Sequence, residues 1–388
     1  MNDYQLRDRA AIAGVAMTDF TSDSGVSELR LAAEVAVAAC ADAGVDPKDV
    51  DGFATYSAYG EGASPVVLAG FLGGPEPPQI LMNPPFGGNM SAMILGMAAM
   101  AVATGTARYV LVYRAFNGRS GYRMGGTGTA KATADGDRQY VLPFGMHGAP
   151  ANFAMNAREY VTRYGVKPEH VGAVAVTFRE HAQRNPHARM HGRPLTLDGY
   201  LASRPIVDPL RLLDCCLEVD GAAAVLVTST ERARDLAKPP VLIRAVAYGY
   251  RGMTVGNPRQ QPGWHSSARV VAPRLFERAQ MELGDIDVAQ LSDDYTYSFL
   301  PQLEDFGWCG PGEAASFCAD GNVGLGGRIP CNTSGGQLSE GFMHGLNLVV
   351  EAVAQLRGEA GQRQVAGARV ALVTGTNGAS GALLRGDG

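Results

Sequence analysis

The order of structural signals along this chain occurs twice, and that repeat limits the fold more than any single motif does. Near the start, Ala11 to Phe20 alternates like a strand, and Ser27 to Ala43 carries helical periodicity with Glu28 and Arg30 facing outward. A turn, Gly44-Val45-Asp46-Pro47, then leads to a second strand at Gly52 to Tyr56. The same order returns as strand Val241 to Tyr250, helix Ala268 to Leu283, turn Gly284-Asp285 and strand Val288 to Ser292. In each copy a glycine loop feeds an apolar helix: Gly87-Gly88-Asn89 into Met90 to Thr104, and Gly341 to Gly345 into Leu346 to Leu356. Matching strands close the units, Ala107 to Val112 and Ala368 to Val373.

Strands alternating with helices imply an α/β protein whose largely parallel sheets are covered on their faces, with right-handed crossovers. Each half holds one wholly apolar helix, so the two helices are expected side by side at the centre. Functional groups in such sheets gather beyond the carboxyl ends of strands, so both glycine loops should face one cleft. The expected division is 1–116 for the core of the first half, 117–230 for a capping insertion with the first half's last strand, and 231–388 for the second half. Within the insertion, Ala151 to Tyr164 and Pro168 to Gln183 read as helices. Gly125 to Ala134 reads as a mobile loop.

A chain of 388 residues, 46% hydrophobic, easily encloses a core of this kind. That disposes of one ambiguity: Phe86 to Ala107 has no charge and would be long enough to span a membrane, but a helix apolar all round is also what a large soluble core buries. Its Asn83-Pro84-Pro85 lead and missing interfacial anchors favour the buried helix. A net charge of -5 without a basic stripe excludes nucleic acid as a partner. The charged N-terminal stretch lacks the apolar core of a signal peptide, so a cytoplasmic location is expected. Six cysteines without C-x-x-C spacing or histidine partners argue against both a disulfide framework and a metal site.

Asn332 to Asn347, NTSGGQLSEGFMHGLN, concentrates the chemistry. Its glycines and hydroxyls precede an apolar helix, and a helix start offers unpaired N–H groups and partial positive charge to an anion or developing oxyanion. Asn332, Gly335, Gly336 and Phe342, together with Gly87, Gly88 and Asn89 of the first loop, are therefore the candidate substrate or oxyanion contacts. His344 is the candidate acid-base group, kept neutral by the helix start. Ahead of it, Ser292-Asp293-Asp294-Tyr295-Thr296-Tyr297 ends a strand, and Asp293, Tyr295 and Tyr297 share one face if that strand continues. Asp294 is expected to cap a helix starting near Tyr297. His147 is a further candidate, from the insertion, whereas His170, His181, His187 and His191 lie in a polar stretch and read as solvated.

These residues carry a resemblance. The duplicated plan, N-x-x-G-G ahead of the second apolar helix, Ser27 to Glu34, Tyr113 to Asn117, Pro209 to Cys216, Pro301 to Glu313 and Gly335 to Asn347 together resemble the thiolase superfamily. The likeness is to sterol-carrier-protein-x-type thiolases and the thiolase-like lipid-transfer proteins that act as aldolases in steroid catabolism. It implies a five-layered αβαβα sandwich of two duplicated βαβαβ-type halves with a capping insertion, a homodimer, and a CoA thioester as substrate with no further cofactor. It also implies a separate small companion protein of zinc-ribbon and OB-fold type that completes the acyl-CoA channel. In a thiolase resembling this chain a cysteine would stand near Gly87-Gly88-Asn89, a histidine at Phe342 and a second cysteine near Thr374. The nucleophile is therefore missing, and glycine cannot replace a thiolate.

The aldolase branch also lacks that cysteine. Its implied reaction is retro-aldol cleavage of a β-hydroxyacyl-CoA with a bulky, sterol-like tail into a ketone or aldehyde and a shorter acyl-CoA, without a covalent acyl-enzyme. Family members place tyrosines where this chain has Ser292 and Phe342, so the catalytic set expected here is Tyr295, His344, Asp293 and Tyr297. Two other readings stay open: a non-catalytic thiolase-like subunit of an acyl-CoA-processing complex, and a biosynthetic condensing or acyl-transfer enzyme.

Overall fold

The computed structural model describes residues 4–58, 60–123, 139–140, 142–146, 148–249 and 265–388. His147 and the expected loop Gly125 to Ala134 lie outside them. The first half contains strands β1 (Ala10–Met17), β2 (Gly52–Ala54), β3 (Ile80–Met82) and β4 (Tyr109–Asn117), with helices α1 (Glu28–Ala43), α2 (Pro65–Leu72) and α3 (Met93–Ala103) between them. Helices α4 (Gly148–Tyr164), α5 (Pro168–Gln183) and α6 (Leu197–Leu201) and the hairpin β5 (Pro205–Val207) and β6 (Leu210–Arg211) follow, before β7 (Asp220–Ser229) and α7 (Thr230–Ala233). The second half runs β8 (Val241–Tyr248), α8 (Ala268–Ala279), β9 (Val288–Gln290), α9 (Thr296–Phe306), α10 (Ala314–Ala319), α11 (Gly336–Ser339), α12 (Leu346–Arg357), β10 (Val370–Thr374) and β11 (Ser380–Gly386).

The strand order shows the duplication. Nine strands are hydrogen-bonded in one order, β3-β2-β4-β7-β1 for the first half continuing β8-β11-β10-β9 for the second, so the two halves of the sheet are mirror-ordered about the short β1–β8 pairing. That pairing consists of Ala11 opposite Leu242 and Ile12 opposite Val241.

The expectation of largely parallel sheets holds only for β3-β2-β4 and β9-β10. All other neighbours in this sheet are antiparallel. The cause in the second half is the short turn Gly375 to Ala379: a connection this brief can only fold a strand back beside its predecessor.

Period-2 alternation along the strands sorts side chains into layers. Ala11, Ala13, Leu111, Tyr113, Ala224 and Leu226 face α1, whereas Ile12, Val110, Val112, Val225 and Val227 face the opposite side and pack with α3 and α12. In the second half, Ala245, Leu372 and Leu383 face α8 and α9 while Ile243, Ala371 and Val373 face the central helices, a β-bulge between Ile243 and Ala245 breaking the alternation in β8. Both central helices touch strands of both halves. The layers are outer helices, sheet, central helices, sheet, outer helices, as expected from the sequence. The uncharged segment from Phe86 accordingly ends in the buried helix α3, and among the described residues no helix is long and apolar enough to cross a membrane.

Helix boundaries follow ordinary capping chemistry. Ser27 accepts from the Arg30 N–H at the start of α1, and Gly44, in the left-handed region, closes it. One departure concerns α5. Its buried face, Val171, Val174, Ala175, Phe178 and Ala182, includes His181, so that histidine is not solvated as expected. Desolvation lowers its pKa to about 4, and Nδ1 lies 3.2 Å from the Asn332 carbonyl.

Candidate active site

The two glycine loops meet. Gly87 has φ +53, and a β-carbon on it would stand 3.0 Å from Ala58 Cβ and 3.6 Å from His344 Cε1. A β-carbon on Gly88 would stand 2.5 Å from Thr376 Oγ1 and 3.4 Å from the His344 carbonyl oxygen. A single helical turn, Gly87–Met90, leads from this loop towards α3, and Gly345 (φ +85) opens α12 from the other side. Asn89 donates Nδ2 to the Phe86 carbonyl, while its buried Oδ1 has no protein partner.

His344 is buried, with φ 50, and its ring is surrounded by aromatic edges and faces. Phe342, half-buried, stands perpendicular to it with ring centroids 4.9 Å apart, and Phe116 lies at 5.2 Å. Arg114 of β4 donates from Nε to His344 Nδ1 at 3.1 Å, and Tyr56 donates from its hydroxyl to the His344 carbonyl at 3.1 Å. Desolvation, with the Arg114 charge second, holds the imidazole pKa well below 6.5, so the side chain is neutral. The sequence expectation of neutrality is met, but burial and a buried arginine cause it rather than the helix start.

The second glycine pair has a different environment. Gly335 (φ +107) and Gly336 (φ +61) open α11, whose exposed N–H groups are taken by the chain's own carboxylate. Asp293 accepts from the Gln337 N–H at 2.9 Å and the Leu338 N–H at 3.1 Å, and a β-carbon on Gly336 would stand 2.3 Å from Asp293 Oδ2. Complete burial, partly offset by those two backbone bonds, raises Asp293 to about 7. Asn332 is committed to Leu291: its Oδ1 accepts from the Leu291 N–H and its Nδ2 donates to the Leu291 carbonyl, both at 2.8 Å.

That clamp ends β9 early. The strand stops at Gln290, because side chains of Asn332 and Thr374 take the backbone groups of Leu291 and Ser292 that a continuing ladder would use. Asp293, Tyr295 and Tyr297 therefore do not share a strand face, correcting that expectation. Asp294 does not cap a helix either. α9 starts at Thr296 after Tyr295, and Asp294 accepts instead from Ser292 Oγ at 3.0 Å and Gln337 Nε2 at 3.1 Å.

Tyr295 and Tyr297 are buried in the core beneath the second sheet, where the Tyr295 ring lies 4.4 Å from that of Phe153. Burial pushes both phenols above their ordinary value. Among the described residues, no hydrogen bond or ring contact joins either tyrosine to His344. The loops thus unite Gly87, Gly88, Phe342 and His344, and a separate network unites Asp293, Asn332 and Gly336. Sequence reasoning missed Arg114, Tyr56, Glu61 and Thr376. The available signal was an arginine inside the apolar run Tyr109 to Phe116, which demands a buried partner.

All six cysteines are free thiols, and burial raises Cys40, Cys215 and Cys309 to about 12 and Cys216, Cys318 and Cys331 well above the ordinary thiol value. At neutral pH none is a thiolate nucleophile.

Residues 257–382 match the family described as thiolase C-terminal domain-like. The chain is 43% identical over 364 residues to a steroid side-chain-cleaving aldolase of Thermomonospora curvata, covering 90% of each. It is 42% identical to a 17-hydroxy-3-oxo-4-pregnene-20-carboxyl-CoA lyase of Mycobacterium tuberculosis, covering 96% of this chain and 97% of that one. Among solved structures, an Ltp2-ChsH2(DUF35) aldolase superposes with a TM-score of 0.90 at 42% identity, over 98% of this chain and 99% of that chain. Human mitochondrial 3-ketoacyl-CoA thiolase shares the fold at a TM-score of 0.70 and 14% identity, over 99% of each. The chain belongs to the thiolase-like aldolases, a carbon–carbon-cleaving branch of the thiolase superfamily.

Proposed function

We propose that this protein cleaves a β-hydroxyacyl-CoA bearing a bulky steroid-like tail into a ketone or aldehyde and a shorter acyl-CoA. The observation that carries the reading is the meeting of the two glycine loops beside a neutral histidine, with no thiol within it. The T. curvata and M. tuberculosis relatives, named for steroid side chains and a hydroxylated pregnene-carboxyl-CoA, supply the substrate class.

The chemistry balances without a co-reactant. A base takes the β-hydroxyl proton, the oxygen lone pair forms the new C=O, and the Cα–Cβ bond breaks. Its electron pair passes into the thioester as an enolate, and a proton returned to Cα gives the shorter acyl-CoA. Donors that meet the enolate oxygen lower the barrier, so the site needs a cradle and an acid-base group rather than a nucleophile. No cofactor beyond the CoA carried by the substrate enters this balance. In this reading His344 faces the thioester between the loops, with Gly87, Gly88, Asn89 and Phe342 shaping its seat. Asp293, Asn332, Gly335 and Gly336 hold the second loop, and Tyr295 and Tyr297 contribute as neutral donors.

The relative solved as an Ltp2-ChsH2(DUF35) aldolase supports a companion protein, here of zinc-ribbon and OB-fold type, completing the acyl-CoA channel. The exposed apolar residues Val66, Val67 and Phe71 of α2 suit a homodimer contact. A cytoplasmic location, and the division into 1–116, 117–230 and 231–388, complete the proposal.

The test supplies a β-hydroxyacyl-CoA with a polycyclic tail to the protein together with its companion, and follows products by mass spectrometry. Equimolar ketone and shortened acyl-CoA, with the protein mass unchanged throughout turnover, are expected. An acyl adduct on the protein, or no cleavage across tail classes, would overturn the reading.

A further inference from the structure

Arg114 has no obvious reason to lie where it does. It belongs to β4, with buried neighbours on both sides, and its own side chain is 0% exposed. Burying a guanidinium costs several kcal/mol unless it is paired and hydrogen-bonded. The pairing is present: Nη2 meets the Glu61 carboxylate, itself 3% exposed, and Nη1 donates to the Glu61 carbonyl at 3.2 Å. The guanidinium lies over the Phe116 ring at 4.6 Å and near the Tyr56 ring at 5.8 Å. Gly62 makes room for the guanidinium, because a β-carbon there would stand 2.4 Å from Arg114 Nη1. The ion pair and the Glu61 carbonyl hold Arg114, and its Nε points at His344 Nδ1 from 3.1 Å.

A guanidinium only donates. The Nδ1 it meets must present a lone pair, and a neutral imidazole with a lone pair on Nδ1 carries its hydrogen on Nε2. We infer that Arg114 is a positioning residue that locks His344 in the Nε2–H form, so that His344 serves the cleavage as a hydrogen-bond donor to the thioester oxygen and not as the base. Nε2 has no lone pair to accept the β-hydroxyl proton, and Nδ1 is blocked. The inference rests on the placement of His344 at the reacting thioester proposed above.

Among the described residues the groups facing His344 are few. From β4 come Arg114 and Phe116, from the segment after β2 Tyr56 and Glu61, from the first glycine loop Gly87 and Gly88, and from its own loop Phe342. Of these only Glu61, 3.8 Å from Nδ1, could stabilise a histidine cation, and Arg114 stands paired with it. Removing Arg114 exchanges the repelling charge for an attracting one.

The experiment uses the full chain with its companion, labelled with nitrogen-15 histidine, and reads imidazole nitrogen shifts from pH 5 to pH 8, with His344→Gln assigning the signal. The wild type is expected to show a neutral Nε2–H ring across that range. Arg114→Gln is expected to make His344 titrate within it by freeing Nδ1, while kcat/KM should show no acid limb at that pKa, because the neutral and the protonated ring both keep the Nε2–H donor. Arg114→Lys, which keeps a cationic donor, should restore part of the neutral Nε2–H ring signal. An Nδ1–H or cationic ring in the wild type overturns the inference, as does an Arg114→Gln protein whose ring form matches the wild type, or one whose kcat/KM falls with protonation of the ring, which would mark His344 as the base. Should Arg114→Gln not fold, the wild-type ring form alone still decides. Full cleavage activity in His344→Ala, which leaves no side-chain donor, would overturn the donor role while leaving the proposed cleavage itself intact.

Discussion

Gly88 is pressed against Thr376, so that the β-carbon of any other residue at position 88 would lie 2.5 Å from the threonine hydroxyl oxygen. The loop in which a thiolase resembling this chain carries its nucleophile thus has no volume for a thiol at Gly88. Replacing Gly88 by Cys should cost about 1–3 kcal/mol of stability by overpacking, read from denaturant unfolding. It should not create thiolase activity with a 3-ketoacyl-CoA. Thiolytic turnover by that variant would show that the loop relaxes more readily than its contacts indicate.

Asn332 acts through Leu291, receiving its N–H and donating to its carbonyl at 2.8 Å each. Both groups are buried, and Asn332→Ala would leave both unpaired. A loss of about 2–4 kcal/mol is expected. Cleavage should fall with it, because the same segment carries Asp293. Denaturation midpoints and specific activity, measured on one preparation, check both outcomes.

Glu340 gives a pH signature. Complete burial, with Glu351 next in effect, raises its pKa to about 8 from the ordinary 4.5. A folded-state pKa above the unfolded one means that its stability contribution is full below about 4.5 and is lost as pH rises through 8. Glu340→Gln removes this dependence, so its stability relative to wild type should improve steadily between those limits. His181 has the opposite sign: lowered to about 4, it costs stability as pH falls below 6.5. Unfolding free energies of wild type and Glu340→Gln across the range separate the two, and parallel curves would contradict the burial of the Glu340 carboxylate.

Much of the architecture was legible because the signals were local and occurred twice. The alternation of Ala10 to Met17, the capped helix from Ser27 and the glycine loop before Leu346 each announce their element. What could not be read was the use of side chains as substitutes for backbone partners. Asn332 and Thr374 end β9 from 41 and 82 residues away, so Ser292 to Tyr297 reads as a continuing strand in sequence and folds otherwise. The same limit hid the site's charge. Arg114 meets His344 across 230 residues, a distance over which no spacing rule applies.

The remaining question for the chemistry is which groups act as donors, and the phenols can be separated from the imidazole. Burial raises Tyr295 and Tyr297 above the ordinary tyrosine value, so neither is a phenolate at neutral pH and neither can serve there as a base. As neutral donors they would still matter, and Tyr295→Phe or Tyr297→Phe removes only the hydroxyl. If one of them donates to the reacting oxygens, its loss should lower kcat by about 10²-fold without a new ionisation in the pH profile. Phe342→Tyr asks the complementary question, since Phe342 stands edge-on to His344 where family members have a phenol. With His344 already supplying the polar group between the loops, that substitution should change kcat by less than about threefold, whereas His344→Gln should lower it by about 10²-fold or more. Steady-state kinetics on the four variants decide it. A large gain from Phe342→Tyr with little loss from His344→Gln would move the donor from the histidine to the position two residues before it.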